Sequence, residues 1–374
     1  MIPPPDAAAL RRAAELCEFC PKMCRFSCPV SEAEPREAFT PWGKASLAAL
    51  TAVAGRAPES SAAAAFHACT GCLRCRSYCA HANDVPTMLF AARAASVRAG
   101  VAPGPMADLA ARFARRGHGK DDDVAATIDA LRAGAEPQRK EPPPALFPGC
   151  RPDSGRAALD AARALGAPLG VVPGGAVCCG LDLLEAGHPD LFAAHALRTR
   201  SALLAGRAGA PAHLVFLAPA CARAVRDRWP GHGAALPAGS IVEHATTYLA
   251  RALALRPDLR ARPKLPGPVA YHDPCELARG LGEVEAPRAL LAAAVEGGAL
   301  EPLRTGADAS CCGAGGLLPL ALPAAADAVA MGRTAELRAC GAPAVTASPA
   351  CAAMLGAGDV VALVARWLSA GGGT

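Results

Sequence analysis

Seventeen cysteines stand in this chain of 374 residues, and sixteen of them fall into four sets of four. Disulfides at that density belong to small secreted domains. This chain is long enough for two or three domains, has an odd cysteine count and begins Met1-Ile2-Pro3-Pro4-Pro5-Asp6, where Asp6, Arg11, Arg12 and Glu15 interrupt any hydrophobic leader. Reduced thiols in a cytoplasmic protein are therefore expected. The longest weakly polar stretch, Cys340 to Gly358, is broken by two prolines and several glycines, so no membrane span is expected. Peripheral attachment to the inner face of a membrane through another subunit stays open.

The set Cys69-x2-Cys72-x2-Cys75-x3-Cys79 has the spacing that wraps a short loop around one face of a cubane iron–sulfur cluster, three thiolates binding locally and the fourth reaching a neighbouring cluster. Its counterpart, Cys17-x2-Cys20-x3-Cys24-x3-Cys28-Pro29, is one residue longer in its middle gap but keeps the terminal Cys-Pro; in the first set Ala80 stands where that proline would be. Eight thiolates suffice for two 4Fe-4S clusters. The exchanged arrangement puts Cys17, Cys20, Cys24 and Cys79 on one, and Cys69, Cys72, Cys75 and Cys28 on the other. Four-cysteine zinc is the alternative, although zinc sites separate two CxxC pairs by a longer loop. Lys22, Arg25, Arg74 and Arg76 lie in or beside these loops, either favouring a reduced, more anionic cluster or forming an exposed basic face.

Around the N-terminal sets the pattern is helical, at Ala7 to Leu16, Pro41 to Ala54, Thr87 to Ala99 and Met106 to Arg115, with no convincing strand. Composition changes between Gly117 and Pro144, where Glu141-Pro142-Pro143-Pro144 reads as an extended connector. Beyond it, short apolar runs alternate with helices: Ala145 to Phe147, Asp153 to Leu165, Pro168 to Val172, Leu191 to Leu204, His213 to Ala218, and a helix over Ser240 to Leu253. That alternation predicts α/β layers on a mainly parallel sheet. The cysteines then recur in order. Cys150, Cys178-Cys179-Gly180 and Pro219-Ala220-Cys221 are answered by Cys275, Cys311-Cys312-Gly313 and Pro349-Ala350-Cys351, at offsets of 125, 133 and 130 residues. The expected units are 1–116 around the two N-terminal motifs, a linker at 117–144, a first repeat at 145–255 and a second at 265–374. A glycine after each cysteine pair permits the turn that aims two adjacent thiolates at one centre.

This ordered arrangement resembles the CCG (cysteine-rich) domain family found in heterodisulfide reductase subunits, the glycolate oxidase iron–sulfur subunit, the lactate utilisation iron–sulfur protein and a subunit of anaerobic glycerol-3-phosphate dehydrogenase. His272-Asp273-Pro274-Cys275-Glu276-Leu277-Ala278-Arg279 is similar to that family's start of a second repeat; Cys311-Cys312-Gly313-Ala314-Gly315-Gly316 and Ser348-Pro349-Ala350-Cys351 are similar to its middle and end. The resemblance implies an α-helical ferredoxin-like N-terminal domain followed by two repeated α/β CCG domains. It accounts for every cysteine but Cys340. Disulfide-reducing members end each repeat in CxxC, whereas Ala224 and Met354 stand at the partner positions here. That weakens a heterodisulfide reductase-like role acting on a disulfide or quinone at the second repeat, which stays the alternative. Four thiolates per repeat, Cys150, Cys178, Cys179 and Cys221, then Cys275, Cys311, Cys312 and Cys351, suit a third iron–sulfur cluster or zinc. His272 is expected to hydrogen-bond a cluster sulfide or gate a proton, Asp273 to shape the turn, and His244 to pack in a helix.

The chain carries no Gly-x-Gly-x-x-Gly opening a helix, Gly149 to Gly155 lacks the Lys-Ser/Thr of a P-loop, and neither Gly-x-Ser-x-Gly nor His-Glu-x-x-His occurs. Hydride chemistry would thus fall to a partner. A net charge of +5, without a Lys/Arg block interleaved with aromatics, argues against nucleic acid. The resemblance implies an electron-transfer subunit taking electrons from a flavoprotein dehydrogenase, whose substrate is a 2-hydroxy acid, glycerol phosphate or an amine, and passing them to quinone or another carrier.

Overall fold

The computed structural model describes residues 7–52, 54–120, 124–133, 143–173, 178–207 and 209–370. The N-terminal part is helical, with no strand among its described residues. Helix Pro41–Ala52 packs on Val85–Arg98 and on Ala7–Glu18. Its core is thin because alanine supplies most of it: Ala45, Ala48, Ala63, Ala65 and Ala92 are buried around Phe66 and Leu89. Helix Val85–Arg98 begins two residues before the expected Thr87 because Asp84 caps it, accepting from the Thr87 amide at 3.1 Å, with Pro86 in the first turn. Helix Val124–Ala133 lies within the linker. The start of the linker's proline run, Glu141-Pro142, falls outside the described residues.

Two four-stranded parallel sheets follow. β1 (Ala145–Phe147), β2 (Gly170–Val171), β3 (His213–Phe216) and β4 (Ile241–His244) lie in the order β2-β1-β3-β4. β5 (Val269–His272), β6 (Ala299–Leu300), β7 (Ala344–Thr346) and β8 (Gly358–Asp359) repeat it as β6-β5-β7-β8. Phe147 pairs with Phe216 at the end of the β1 and β3 register, and His272 with Thr346 in β5 and β7. The segment 240–253, expected as one helix, divides into β4 and helix Ala245–Ala254. Ile241 and Val242 join the β3 ladder, and the buried His244 ring accepts from the Thr246 amide at 3.2 Å to start the helix.

Helices Gly155–Ala164, Ala245–Ala254, Glu285–Ala294 and Val360–Ser369 fill the space between the sheets, so the repeats share one core that includes Leu159, Leu249, Leu290, Val364 and Trp367. Strand order reverses between β1 and β3, and again between β5 and β7. A parallel sheet opens a crevice beyond its strands at that point. The cysteines after Phe147 and Phe216, and after His272 and Thr346, stand at those two crevices.

Candidate metal centres

Cys17, Cys20, Cys24 and Cys79 line a cavity of about 340 Å³. The Cys24 thiol is pushed up to about 11 by burial and by the neighbouring Cys17, Cys20 and Cys79. A second cavity of about 330 Å³ is lined by Cys28, Cys69, Cys72 and Cys75. Burial first, then Cys72, Cys69 and Cys28, drives the Cys75 thiol well up. Cys75 faces both cavities, so the two sets abut.

Each repeat runs its sulfurs together in the same order. Cys150 contacts Cys178, Cys178 contacts Cys179, and Cys179 contacts Cys221 through thiol hydrogen bonds. In the second repeat Cys275 contacts Cys311, Cys311 contacts Cys312, and the Cys312 and Cys351 sulfurs lie 3.0 Å apart. The glycine after each pair turns its amide back on the first sulfur at 3.4 Å, Gly180 on Cys178 and Gly313 on Cys311. Their φ angles are +81° and +88°, and a Cβ would meet the His195 ring or the Ala326 carbonyl at 2.7 Å. Gly315 and Gly316 make a different contact. They lie against the Thr70 and Cys69 carbonyls, where a Cβ would come within 2.3 and 1.9 Å. The two tracts thereby touch: Cys72 hydrogen-bonds the Cys311 sulfur, which drives its own thiol up, and Arg279 donates to the Cys72 carbonyl at 2.6 Å.

Sets made only of soft sulfur donors fit a soft or borderline cation that would take the negative charge of their thiolates. The positive charges are not those singled out from sequence. Lys22 stacks on Trp42, Arg25 pairs with Glu37, Arg74 pairs with Asp308, and Arg76 donates to the Arg279 carbonyl. Lys44, 1% exposed, holds its Nζ 3.5 Å from the Cys28 sulfur, and the Arg279 charge acts on Cys72, Cys275 and Cys311. Arg93 donates to the Cys69, Phe66 and Glu185 carbonyls. Neither Lys44 nor Arg93 carries a local signal, since a single Lys or Arg in an alanine-rich helix reads as a solvated face. Asp273 does more than shape a turn: it is buried, pairs with both Arg288 nitrogens at 2.8 Å and accepts from the Gly306 amide. His244 is a helix cap whose Nε2 donates to the Leu217 carbonyl at 2.8 Å. Cys340 lies apart, its thiol on the Glu336 carbonyl.

A third cavity, about 390 Å³, opens where the N-terminal part meets both repeats, with Cys69, Arg93, Glu185, Arg223 and Glu276 in its walls. Glu185 is pushed up to about 8 by burial and by Asp182, against Arg93 and Arg223, with Glu276 adding to the rise. A carboxyl raised on folding from 4.5 holds its proton more tightly in the folded chain. Its stabilisation is therefore complete below the ordinary value and is lost as pH climbs through about 8. The urea midpoint is expected to fall from about pH 6 to about pH 9, and Glu185→Gln to flatten part of that fall. An unchanged pH profile in the variant would show that Glu185 is ionised throughout.

The CCG cysteine-rich domain pattern matches residues 269–356. The chain is 26% identical over 280 residues to a fumarate reductase (CoM/CoB) subunit of Methanothermobacter marburgensis, covering 73% of this chain and 53% of that protein. It is 29% and 32% identical over 160 residues, 42% of its length, to a dihydromethanophenazine:CoB–CoM heterodisulfide reductase subunit of Methanosarcina acetivorans and to its namesake in Methanosarcina barkeri. It spans about half of the first relative and, at 38% and 37%, under two fifths of the others. No described helix is long and apolar enough to cross a membrane.

Proposed function

We propose that this chain, whose residues 269–356 match the CCG cysteine-rich domain pattern, is the iron–sulfur electron-transfer subunit of an oxidoreductase complex. Held by the exchanged N-terminal sets and by Cys275, Cys311, Cys312 and Cys351, iron–sulfur clusters would take up and release single electrons there. The chain's own residues bury these sites, hold Lys44 against Cys28, and keep the sets in contact.

What carries the reading is that contact. Cys75 belongs to the walls of both N-terminal cavities, and Cys72 meets Cys311 of the second repeat. Three sulfur sets in series suit stepwise passage of electrons better than three separate structural sites. The helical N-terminal part is, on this reading, ferredoxin-like in function. The first repeat holds a cluster or zinc. With no nucleotide or flavin motif in the sequence, the donor is a flavoprotein dehydrogenase and the acceptor is quinone or a protein carrier. The named relatives are subunits, which favours a partner. A cytoplasmic site, peripheral on the membrane's inner face, follows if the acceptor is quinone. Met354 in place of a CxxC cysteine weighs against disulfide cleavage, although two relatives are named for a heterodisulfide.

Counting iron, zinc and acid-labile sulfide on anaerobically purified chain tests this. About twelve irons support the three centres, about sixteen add a cluster in the first repeat, and about eight restrict iron to the N-terminal sets. Zinc with almost no sulfide overturns the proposal. Cys311→Ser is expected to lose the second-repeat iron while the N-terminal signals persist.

A further inference from the structure

The two repeats match in sulfur order but not in the residue that closes their sheets' central strand. Phe147 ends β1 three residues before Cys150, and His272 ends β5 three residues before Cys275. Phe147 packs on the Phe216 ring at 5.0 Å. His272, 0% exposed, instead forms a group with Cys312 and Cys351 whose donor atoms all lie within 4.8 Å of one another.

A histidine so close to two thiols invites assignment as a metal ligand. Its other contacts say otherwise. Arg333 Nε donates to His272 Nδ1 at 2.9 Å, and a guanidinium has hydrogens to give but no lone pair. Nδ1 is therefore the acceptor nitrogen, and the hydrogen of a neutral ring sits on Nε2. A ring that accepts at Nδ1 carries its one hydrogen on the other nitrogen. A metal-bound histidine donates its second ring N–H outward to a carboxylate, carbonyl or water; this ring receives a hydrogen there. Its Nε2 is buried without any hydrogen-bond partner among the described residues. Arg333 cannot swing away, since it is 1% exposed and its Nη1 donates to the Arg304 carbonyl at 2.9 Å and to Glu336.

We propose that His272 is a fixed hydrogen-bond donor and not a ligand, offering Nε2–H to the sulfur of the Cys312 and Cys351 site, and that Arg333 is the positioning residue that sets this tautomer. The inference rests on the reading that the second repeat holds an iron–sulfur centre. The hydrogen stays on Nε2 throughout, and its contribution is to stabilise negative charge on sulfur, which raises the reduction potential. The first repeat has a phenyl ring at that position and no such donor. The repeats are accordingly unequal: the second, in contact with Cys72, is the electron-accepting one.

The test uses the full chain with its iron in place. In protein labelled with ¹⁵N-histidine, pulsed EPR of the reduced form is expected to show a weak nitrogen coupling that vanishes in His272→Phe. Iron content should match wild type in His272→Phe. Its second-repeat potential should fall, as should that of Arg333→Met, and His272→Gln, which keeps an amide N–H, should recover part of the loss. A strong, directly bonded nitrogen coupling in wild type, loss of about four irons from His272→Phe, or an unmoved potential would overturn the proposal. Should His272→Phe fail to fold, the wild-type coupling and the glutamine variant still decide. Wild type with no iron in the second repeat would sink the underlying reading instead, and the metal count separates the two failures.

Discussion

Cys28→Ser is expected to lose the same iron as Cys72→Ser, and to leave intact the iron lost by Cys17→Ser, although Cys28 is nearer in sequence to Cys17. The chain folds so that Cys28 lies in the cavity of Cys69, Cys72 and Cys75, beside the Lys44 ammonium at 3.5 Å and the Phe39 carbonyl. Cys79 goes the other way, to Cys17, Cys20 and Cys24. Each single substitution should remove about four irons per chain, with reduced-state EPR showing which signal is gone. A Cys28 variant that loses the Cys17 signal would mean that each motif serves its own cluster.

Gly316→Ala is expected to be among the most damaging small changes available to this chain. The residue has φ +65°, and its Cβ would come 1.9 Å from the Cys69 carbonyl oxygen. A left-handed backbone costs a non-glycine residue roughly 1–2 kcal/mol, and neither backbone can yield without parting the second repeat from the cysteine loop. A total loss of about 3 kcal/mol or more follows. Electron passage between Cys72 and Cys311 should slow with it. Gly332→Ala is the control: it lies inside helix Pro323–Arg338 with nothing within 4 Å of the new Cβ. There alanine should gain about 0.5–1 kcal/mol. Equal urea midpoints for the two variants would show that the repeat is not seated on the loop.

The cysteine spacings made four sulfur sets and a doubled α/β unit legible in the chain alone, because ligand spacing and strand–helix alternation are local properties. The same locality explains the misses. Lys44 and Arg93 sit in alanine-rich helices where nothing nearby marks them as buried, and Arg333 precedes its Glu336 partner as on any solvated helix. Segment 240–253 read as one helix because Ile241 and Val242 reveal themselves as strand only when β3 lies alongside.

By itself, the sequence determined which thiols belong to short loops, where the two repeats begin, and that Gly180 and Gly313 must turn sharply after their cysteine pairs. Tertiary structure decided the rest: that Gly315 and Gly316 admit the Cys69–Thr70 backbone, that Cys72 meets Cys311, and that Arg333 rather than a carboxylate faces His272. Those contacts join residues separated by 61 to more than 200 positions. Only packing brings such residues within hydrogen-bond range, and only a buried setting makes one lysine, one arginine or one missing Cβ decisive.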